Sequence, residues 1–342
     1  MRVLLYSILT VFFVGLPVYS REKDAREVLN NPQDDPVAEL IVYLEEGIPT
    51  AAEWLRETDD PRAVPALIAA LDQDNEYVIS TVINTLEYIQ DTSAKDKLIS
   101  MLGYDSYDVR FAAVQYMGTL RVTEAVSPLI ALIETEQDDV PKSRVIRSLG
   151  DIGDARALRC LVKVLKDTTE IDYVRENSAI ALGKLGDRRA VRVLLEMVDS
   201  DIPRYVLIDA LAASGEIAMK PLKKAARNGE YRSIAVPAIA QLADRRQVRF
   251  LVKNLECYEV FRALLRIGDR RAVKPLIEYL ENRPGYYTDY TIRILGEIGD
   301  RRAVPVLIDY MQNTNNEVRY RNTAAVALGK IGDRRAVEPM LE

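Results

Sequence analysis

The chain of 342 residues contains no histidine, and this absence excludes several kinds of active site. Ser–His and Cys–His nucleophilic catalysis both need an imidazole, and so do metal sites built on histidine ligands. The sequence also lacks the glycine patterns of Walker or dinucleotide-binding loops. The residues therefore predict a protein that is not an enzyme and that holds no metal and no cofactor.

Cysteine and large aromatic residues are scarce, with two Cys, one Trp and five Phe. Cys160 and Cys257 lie about three repeats apart in the pattern described below, and stacked helices are spaced by about 8 to 10 Å, so a disulfide within one chain is not expected. We interpret both as small apolar residues on helix faces. Hydrophobic residues make up 48% of the chain, enough to fold, and no segment alternates as a strand would.

The first twenty residues differ in composition from the rest. Arg2 precedes an apolar run that ends near Leu16, and the compact residues up to Ser20 fit a signal-peptidase site. We predict a signal peptide over residues 1–20, a linker or N-terminal cap over 21–34, and an exported protein, periplasmic or secreted, that does not insert into the membrane after cleavage. The alternative is an N-terminal membrane anchor, although the run is shorter than the roughly 20 residues that span a bilayer.

The charge balance bears on the class of partner. The net charge is −6, with 46 basic and 52 acidic side chains. A negative chain is repelled by phosphate backbones and anionic lipid surfaces, so nucleic acid and anionic membranes are disfavoured as partners. A protein or peptide partner is the remaining prediction.

One sequence motif, Leu295–Ile308, reads LGEIGDRRAVPVLI and recurs elsewhere with small changes. We call its first five residues the LGxIG words and the whole motif the corner phrase. Gly299 can take the left-handed conformation that ends a helix, and Asp300 can accept hydrogen bonds from the free N–H groups that open the next helix. The phrase therefore predicts a tight corner between two helices. Nearly the same words occur at residues 182–195, 264–277 and 328–341.

Counterparts of Ala303 recur ten times at intervals of 25 to 33 residues. Such a period fits two short helices per repeat. We predict an all-α protein, a right-handed α-solenoid of about ten two-helix repeats over residues 35–342. The last repeat is incomplete at Glu342, which is either a half-repeat cap or a truncation, and exposed Val337 and Leu341 there would permit self-association.

The repeat resembles a known family on specific residues: Tyr173-Val174-Arg175, Ala179, Ala181, Leu182-Gly183, Leu185-Gly186-Asp187 and Arg189-Ala190-Val191. This pattern is similar to the HEAT-like repeat of the phycobilisome-lyase type, across nearly the whole chain after residue 34. The resemblance implies an armadillo-like helical fold. It is not specific for function, because such repeats occur in chromophore lyases, hydroxylases and binding scaffolds.

The resemblance leaves an alternative function open, a lyase-like or hydroxylase-like enzyme or chaperone. Deoxyhypusine hydroxylase has similar repeats but binds its di-iron centre through His-Glu pairs, which this chain cannot supply. The phycobilisome lyases act on cytosolic bilin proteins, and the predicted signal peptide argues against that role. We therefore predict a non-catalytic scaffold that binds its partner on the concave face.

A basic residue occupies the same slot, seven residues before the Leu of the LGxIG words, in five successive repeats: Arg110, Lys142, Arg175, Arg204 and Arg232. These residues form either a cationic ladder for an acidic or anionic ligand or structural bonds to the Asp and carbonyl groups of neighbouring corners. We favour the structural interpretation because corner aspartates recur at matching intervals. The second Arg of each corner, such as Arg302, poses the same choice, with the neighbouring cap Asp as its simplest partner.

Aromatic residues are expected to face outward on the concave side at matching positions. Amphipathic aromatics on a curved surface are good binding anchors, although scattered surface tyrosines are also common. The contracted repeats over residues 203–266 sharpen the prediction, because irregular repeats alter local curvature and can form a pocket. The predicted partner-binding residues are Phe111, Arg175, Tyr205, Arg232, Tyr258, Arg262 and Tyr290.

Overall fold

The computed structural model describes residues 35–58, 60–135, 139–282 and 285–341, so the predicted signal peptide and linker lie outside the described residues. The described part contains 21 α-helices, joined in places by 3-10 turns, and no strand. The described helices divide into two compact units, one before and one after the chain boundary between Leu185 and Gly186. Each unit is a stack of antiparallel helix pairs, as the prediction of an α-solenoid requires.

The first unit holds five helix pairs, in which odd-numbered helices are the A helices and even-numbered helices the B helices. The pairs are α1 (Pro36–Glu45) and α2 (Pro49–Arg56), α3 (Ala63–Ala70) and α4 (Glu76–Ile89), α5 (Lys95–Ser100) and α6 (Tyr107–Thr119), α7 (Val126–Thr135) and α8 (Asp139–Ile152), α9 (Leu158–Lys166) and α10 (Asp172–Lys184).

The second unit holds five more pairs and one further A helix. They are α11 (Arg188–Glu196) and α12 (Arg204–Ala213), α13 (Glu216–Ala225) and α14 (Gly229–Leu242), α15 (Val248–Leu251) and α16 (Tyr258–Ile267), α17 (Val273–Asn282) and α18 (Thr288–Ile298), α19 (Val304–Gln312) and α20 (Val318–Ile331), and α21 (Val337–Leu341). The ten corner positions counted in the sequence open the last nine pairs and α21, and the ten described pairs agree with the prediction of about ten two-helix repeats.

The core of each unit is built from equivalent positions of successive repeats. The leucine four residues after the corner alanine is fully buried in every repeat from Leu67 to Leu307, and the corner alanine itself is buried wherever it occurs. Burying one leucine side chain contributes about 1.5 to 3 kcal/mol, so the repeated leucines supply much of the favourable free energy. In α21, by contrast, Val337 and Leu341 are exposed.

The corner has the geometry that its residues predict, with one addition. Gly299 ends α18 with φ of +68°, a conformation that costs glycine nothing. Asp300 accepts a hydrogen bond of 3.0 Å from the Arg302 backbone N–H. The aspartate caps a 3-10 turn, Arg301–Ala303, and α19 begins only after that turn.

The second arginine of the corner is tied to the same aspartate. Arg302 donates from Nε and from Nη2 to the two carboxylate oxygens of Asp300, at 2.9 and 2.8 Å. Its Nη2 also donates to the Arg270 carbonyl of the preceding corner, at 3.2 Å. Arg335 makes the same set of contacts, reaching the Arg301 carbonyl at 3.0 Å. Arg302 and Arg335 therefore link consecutive repeats, as the structural interpretation predicts. The Arg189 side chain, by contrast, bonds within the described residues to its own cap Asp187 alone.

A second kind of glycine permits the B helices to stack closely. A methyl group on Gly150 of α8 would lie 2.7 Å from the Ala181 Cα of α10, and one on Gly296 of α18 would lie 2.7 Å from the Ala327 Cβ of α20. At these two positions the first glycine of the LGxIG words is therefore a contact residue inside the helix, because the neighbouring helix occupies the space of a side chain.

We predict that Gly296→Ala and Gly150→Ala each lower the free energy of unfolding by about 1 to 3 kcal/mol, because the added methyl meets backbone that cannot yield. Urea unfolding followed by circular dichroism measures the change. Gly329→Ala is the matched control, since Gly329 has the same place in its LGxIG words but no neighbouring atom within 4 Å. There the higher helix propensity of alanine should stabilise by up to about 1 kcal/mol. Equal effects at all three positions would contradict the close-contact role.

Acid should weaken the corners in a defined window. Hydrogen bonds from Arg302 and from its backbone N–H lower the pKa of Asp300 from 3.8 to about 2, and Arg271 has the same effect on Asp269. A carboxyl whose folded pKa is depressed stabilises the fold above its unfolded pKa, and the stabilisation disappears as pH falls from about 4 to about 2. The free energy of unfolding should fall over this window, and Asp300→Asn should reduce the pH dependence. Asp309→Asn, which removes a carboxylate without an ion pair to the described residues, should leave it unchanged.

Candidate functional site

The basic slot of the B helices does not form one continuous ladder. Arg110 donates to the Tyr104 and Asp105 carbonyls, both at 2.9 Å, and Arg175 donates to the Leu165 carbonyl at 3.2 Å. The Leu165 carbonyl belongs to α9 of the same repeat, whereas the Tyr104 and Asp105 carbonyls lie in the turn before α6. Two other residues of the slot reach the turn before the next B helix, since Lys142 pairs with Glu170 and Arg232 with Glu256. These contacts are structural, but their partners are helix ends and turns between A and B helices, not the neighbouring corners that the sequence predicted.

The prediction that Arg175 contacts a partner is wrong. Its side chain is 3% exposed, and its Nη1 lies 3.9 Å from an Asp172 carboxylate oxygen. A long cationic side chain buried in this way packs along the helix pair and satisfies a carbonyl. It cannot contact a partner without unfolding of the repeat.

Phe111 lies in a stack in the first unit. Its ring centroid is 5.9 Å from that of Tyr107, and the Arg144 guanidinium lies 4.4 Å from the Phe111 centroid. Phe111 is half-buried while Tyr107 is exposed. The accessible aromatic at this position is therefore Tyr107, with Phe111 beneath it.

Tyr258, Arg262 and Tyr290 come together in the second unit. The rings of Tyr258 and Tyr290 meet edge to face with centroids 5.2 Å apart, and the Arg262 guanidinium lies 5.6 Å from the Tyr258 centroid. Hydrogen bonding with Tyr258 raises the pKa of the Tyr290 hydroxyl. Behind them, Phe261 is fully buried and stacks on Tyr287 at 4.7 Å. The structure thus joins three predicted residues into one supported aromatic cluster.

The helix that carries Tyr290 is anchored by the residue before it. Asp289 is 2% exposed and accepts a hydrogen bond of 2.8 Å from Thr323, while Arg293 and Arg319 lie 3.0 and 3.3 Å from its carboxylate. Burial raises the pKa of Asp289, but the bonds from Thr323 and Arg319 outweigh it and leave the pKa below its ordinary value. A paired buried carboxylate fixes the start of α18 against α20.

The structure reveals a more regular feature than the predicted set. Six exposed tyrosines lie at the first or second residue of a B helix or in the turn just before one, with exposed fractions between 40% and 85%. We call them the tyrosine row: Tyr77, Tyr107 and Tyr173 in the first unit, and Tyr205, Tyr258 and Tyr286 in the second. Tyr205 and Tyr258 were predicted. The other four were missed because the alignment was made on the helix ends, and the B helices differ in length.

Other reactive groups show no comparable arrangement. Cys160 and Cys257 are both free, and burial raises the pKa of the Cys257 thiol to about 11. Across the described ranges, no group of three or more Cys, Asp and Glu is arranged to hold a metal ion. No described helix has the length and apolar composition to cross a membrane.

The chain matches the family model of HEAT repeats over residues 49–118, 64–149, 126–215 and 273–342. It is a HEAT-repeat protein. Comparison with curated protein sequences gave no match. The repeats that match stop at residue 215 and resume at 273, so the intervening repeats are the ones that depart from the family pattern.

Several solved structures match this chain. Human deoxyhypusine hydroxylase in complex with glycerol is 20% identical, with 70% of this chain and 96% of that chain covered and a TM-score of 0.31. The complex of CpcE and CpcF of phycocyanin lyase from Nostoc sp. PCC7120 is 20% identical, with coverage of 72% and 93% and a TM-score of 0.35. Kap121p is 13% identical, with coverage of 91% and 43% and a TM-score of 0.50. The last likeness shows the α-solenoid fold.

The buried slot arginine offers a direct test of its structural role. Arg175→Ala should lower the free energy of unfolding by about 1 to 3 kcal/mol, because it leaves the Leu165 carbonyl unsatisfied and removes packed methylene groups. Arg204→Ala is the control, since Arg204 holds the same slot but is exposed and has no ion pair or side-chain hydrogen bond with the described residues. Its change should stay within about 0.5 kcal/mol. Urea unfolding of both variants decides, and equal losses would refute the distinction.

Proposed function

We propose that this HEAT-repeat protein is an exported, non-catalytic scaffold that binds a protein or peptide on the face formed by its B helices, the predicted concave face. The observation that carries the proposal is the tyrosine row. A large amphipathic side chain recurs at one end of the B helices in both units, although a side chain that packs no core has no structural reason to recur.

The spacing of the row suits an extended peptide. Packed helices lie about 8 to 10 Å apart, so neighbouring B helices within one unit present their tyrosines at about that interval. An extended chain advances about 3.3 Å per residue, and three of its residues therefore cover one repeat. Side chains three residues apart in such a peptide would meet tyrosines where neighbouring B helices both carry one, as α4 and α6 do and as α16 and α18 do. Across α8 and α14, which carry no member of the row, the interval is two repeats, or about six residues.

The aromatic cluster around Tyr258 is the best-ordered part of this surface. The Tyr290 ring contacts the Tyr258 ring with centroids 5.2 Å apart, and α16, which carries Tyr258, is fixed by the buried Phe261 stacked on Tyr287 at 4.7 Å. A side chain already fixed in its bound position loses less conformational entropy on binding, so it gives more affinity per contact. Tyrosine and arginine side chains of this kind are the residues enriched at binding hot spots.

Export and the finer repeat type belong to the same proposal and rest on sequence. The apolar run before Ser20 supports secretion, and the residues of the 173–191 repeat support the phycobilisome-lyase type of HEAT-like repeat. N-terminal sequencing of the protein purified from its own cells tests export. A mature chain that begins near Arg21 is expected, and soluble protein that retains Met1 would overturn the export claim.

Partner binding is tested with Tyr205→Ala/Tyr258→Ala. Loss of two aromatic anchors should weaken capture of native partners about tenfold or more, as each hot-spot tyrosine contributes at least about 1 kcal/mol. The measurement is quantitative recovery of proteins from the exported fraction on immobilised wild-type and variant chains. Circular dichroism confirms that the variant is folded.

Tyr88→Ala is the matched control, because Tyr88 is 65% exposed but lies near the opposite end of its B helix. It should recover the wild-type partners in wild-type amounts. If the double variant also recovers them fully while folded, the tyrosine row is not the binding surface.

A further inference from the structure

A cleft in the second unit gathers an unusual number of positive charges. It is lined by Phe250, Asn254 and six cations, and it has a volume of about 530 Å³ and is open to solvent. We call it the basic cleft, and its cations are Lys223, Arg227, Arg232, Arg246, Arg249 and Lys253. In a chain with net charge −6, this grouping is a local reversal of sign.

The cleft lies where the repeat pattern is broken. Its residues come from α13, α14, α15 and the turns next to them, inside the stretch that the HEAT model does not match. Helix α15 is only four residues long, Val248–Leu251, so its repeat fills less space than a full A helix would. The corner before it has Ala243 in an extended conformation in place of a left-handed glycine. Gln247 completes that corner by accepting the Asp244 backbone N–H at 3.0 Å.

Most of the positive charge in the cleft is not neutralised. Arg232 lies 3.2 Å from Glu256, and Arg246 lies 2.9 Å from Asp244 and 3.4 Å from Glu216. The side chains of the other four cations have no ion pair or hydrogen bond with the described residues. They are Lys223, Arg227, Arg249 and Lys253. Like charges held close together repel each other. An anionic occupant would reduce this electrostatic repulsion, which no side chain of the described residues offsets at these four cations.

We propose that the basic cleft binds an acidic segment, rich in Asp and Glu, of the partner protein. This inference rests on the proposed function, since it names the chemistry of the partner. Arginine forks match carboxylates with two parallel hydrogen bonds, and Phe250 offers an apolar contact between the cations. The cleft is linked to the tyrosine row through Glu256, which pairs with Arg232 of the cleft and precedes Tyr258 by two residues. One extended segment can therefore place carboxylates in the cleft and a following residue on Tyr258.

The negative charge of the surface outside the cleft favours a short acidic peptide over larger polyanions as the occupant. A nucleic acid strand or an anionic membrane would extend beyond the cleft over a surface that is negative overall, and it would be repelled there. A short acidic segment ends within the cleft. The steering of such a segment weakens as salt screens charges over about 10 Å at 0.1 M.

The experiment uses the full chain and a fluorescein-labelled peptide of alternating Asp, Glu and Ser, of roughly eight residues, which spans about 27 Å when extended. Fluorescence anisotropy at low and physiological salt measures binding. We expect saturable binding that Arg227→Glu/Arg249→Glu weakens tenfold or more. Arg249→Lys, which keeps the charge, should weaken it much less than the double reversal does.

Arg192→Glu/Arg334→Glu is the matched control, with the same change of net charge at two exposed arginines of the second unit outside the cleft. It should bind the peptide within twofold of wild type. An equal loss in control and cleft variants would show general charge attraction and overturn the proposal.

Three competing probes complete the test: a single-stranded oligonucleotide, inorganic phosphate, and vesicles of phosphatidylcholine with phosphatidylserine. Tighter binding of any of them than of the peptide at physiological salt would overturn the assignment to an acidic peptide. Absence of peptide binding, while partner capture still depends on Tyr205 and Tyr258, would refute the cleft proposal and leave the proposed function standing. Loss of Tyr dependence with cleft-dependent peptide binding intact would refute the tyrosine row instead.

Discussion

The close stacking of consecutive B helices is the contact on which the rest of each unit depends. It requires a residue without a side chain at Gly150 or Gly296, because the backbone of the next helix occupies that space. Once the B helices are stacked, the backbone of each corner between helices has few conformations left. Asp300 fixes the turn, and Arg302 joins that turn to the carbonyl of the corner before it. Local hydrogen bonds at the corner and close packing at the helix thus specify the same arrangement, which is what a repeat needs in order to propagate.

The proposed binding surface lies where these two constraints do not fix the side chains. The B helices carry large exposed rings near their starts, at Tyr77 and Tyr205. The contracted repeats around α15 also form a cleft. The A helix there has only four residues, and cationic side chains line the space that it leaves. The regular repeats form the helix stacks, and the contracted repeats around α15 give one part of the second unit a distinct charge and shape.

Much of the fold was predictable because its information is local. The period of the corner phrase predicted the ten helix pairs, and Asp35 followed by Pro36 predicted the start of α1, where Asp35 accepts the Ala38 N–H at 3.2 Å. The pairing of corner aspartates with arginines was also predictable, since the two residues are only two positions apart. The candidate site was predicted less well. Arg175 and Arg232 share a slot in sequence, but one is buried and the other reaches the cleft.

The sequence by itself determined the class of fold, the repeat boundaries and the corner chemistry, because each depends on residues within about one turn of each other. Tertiary structure alone decided which glycines are contact residues, which cations are paired and which tyrosines are exposed. The physical reason is that burial and charge compensation depend on the neighbouring repeat. The Gly150 to Ala181 contact and the gathering of Lys223 with Arg249 both join residues distant in the chain. A pattern of neighbouring residues in the sequence does not show which distant residues come into contact.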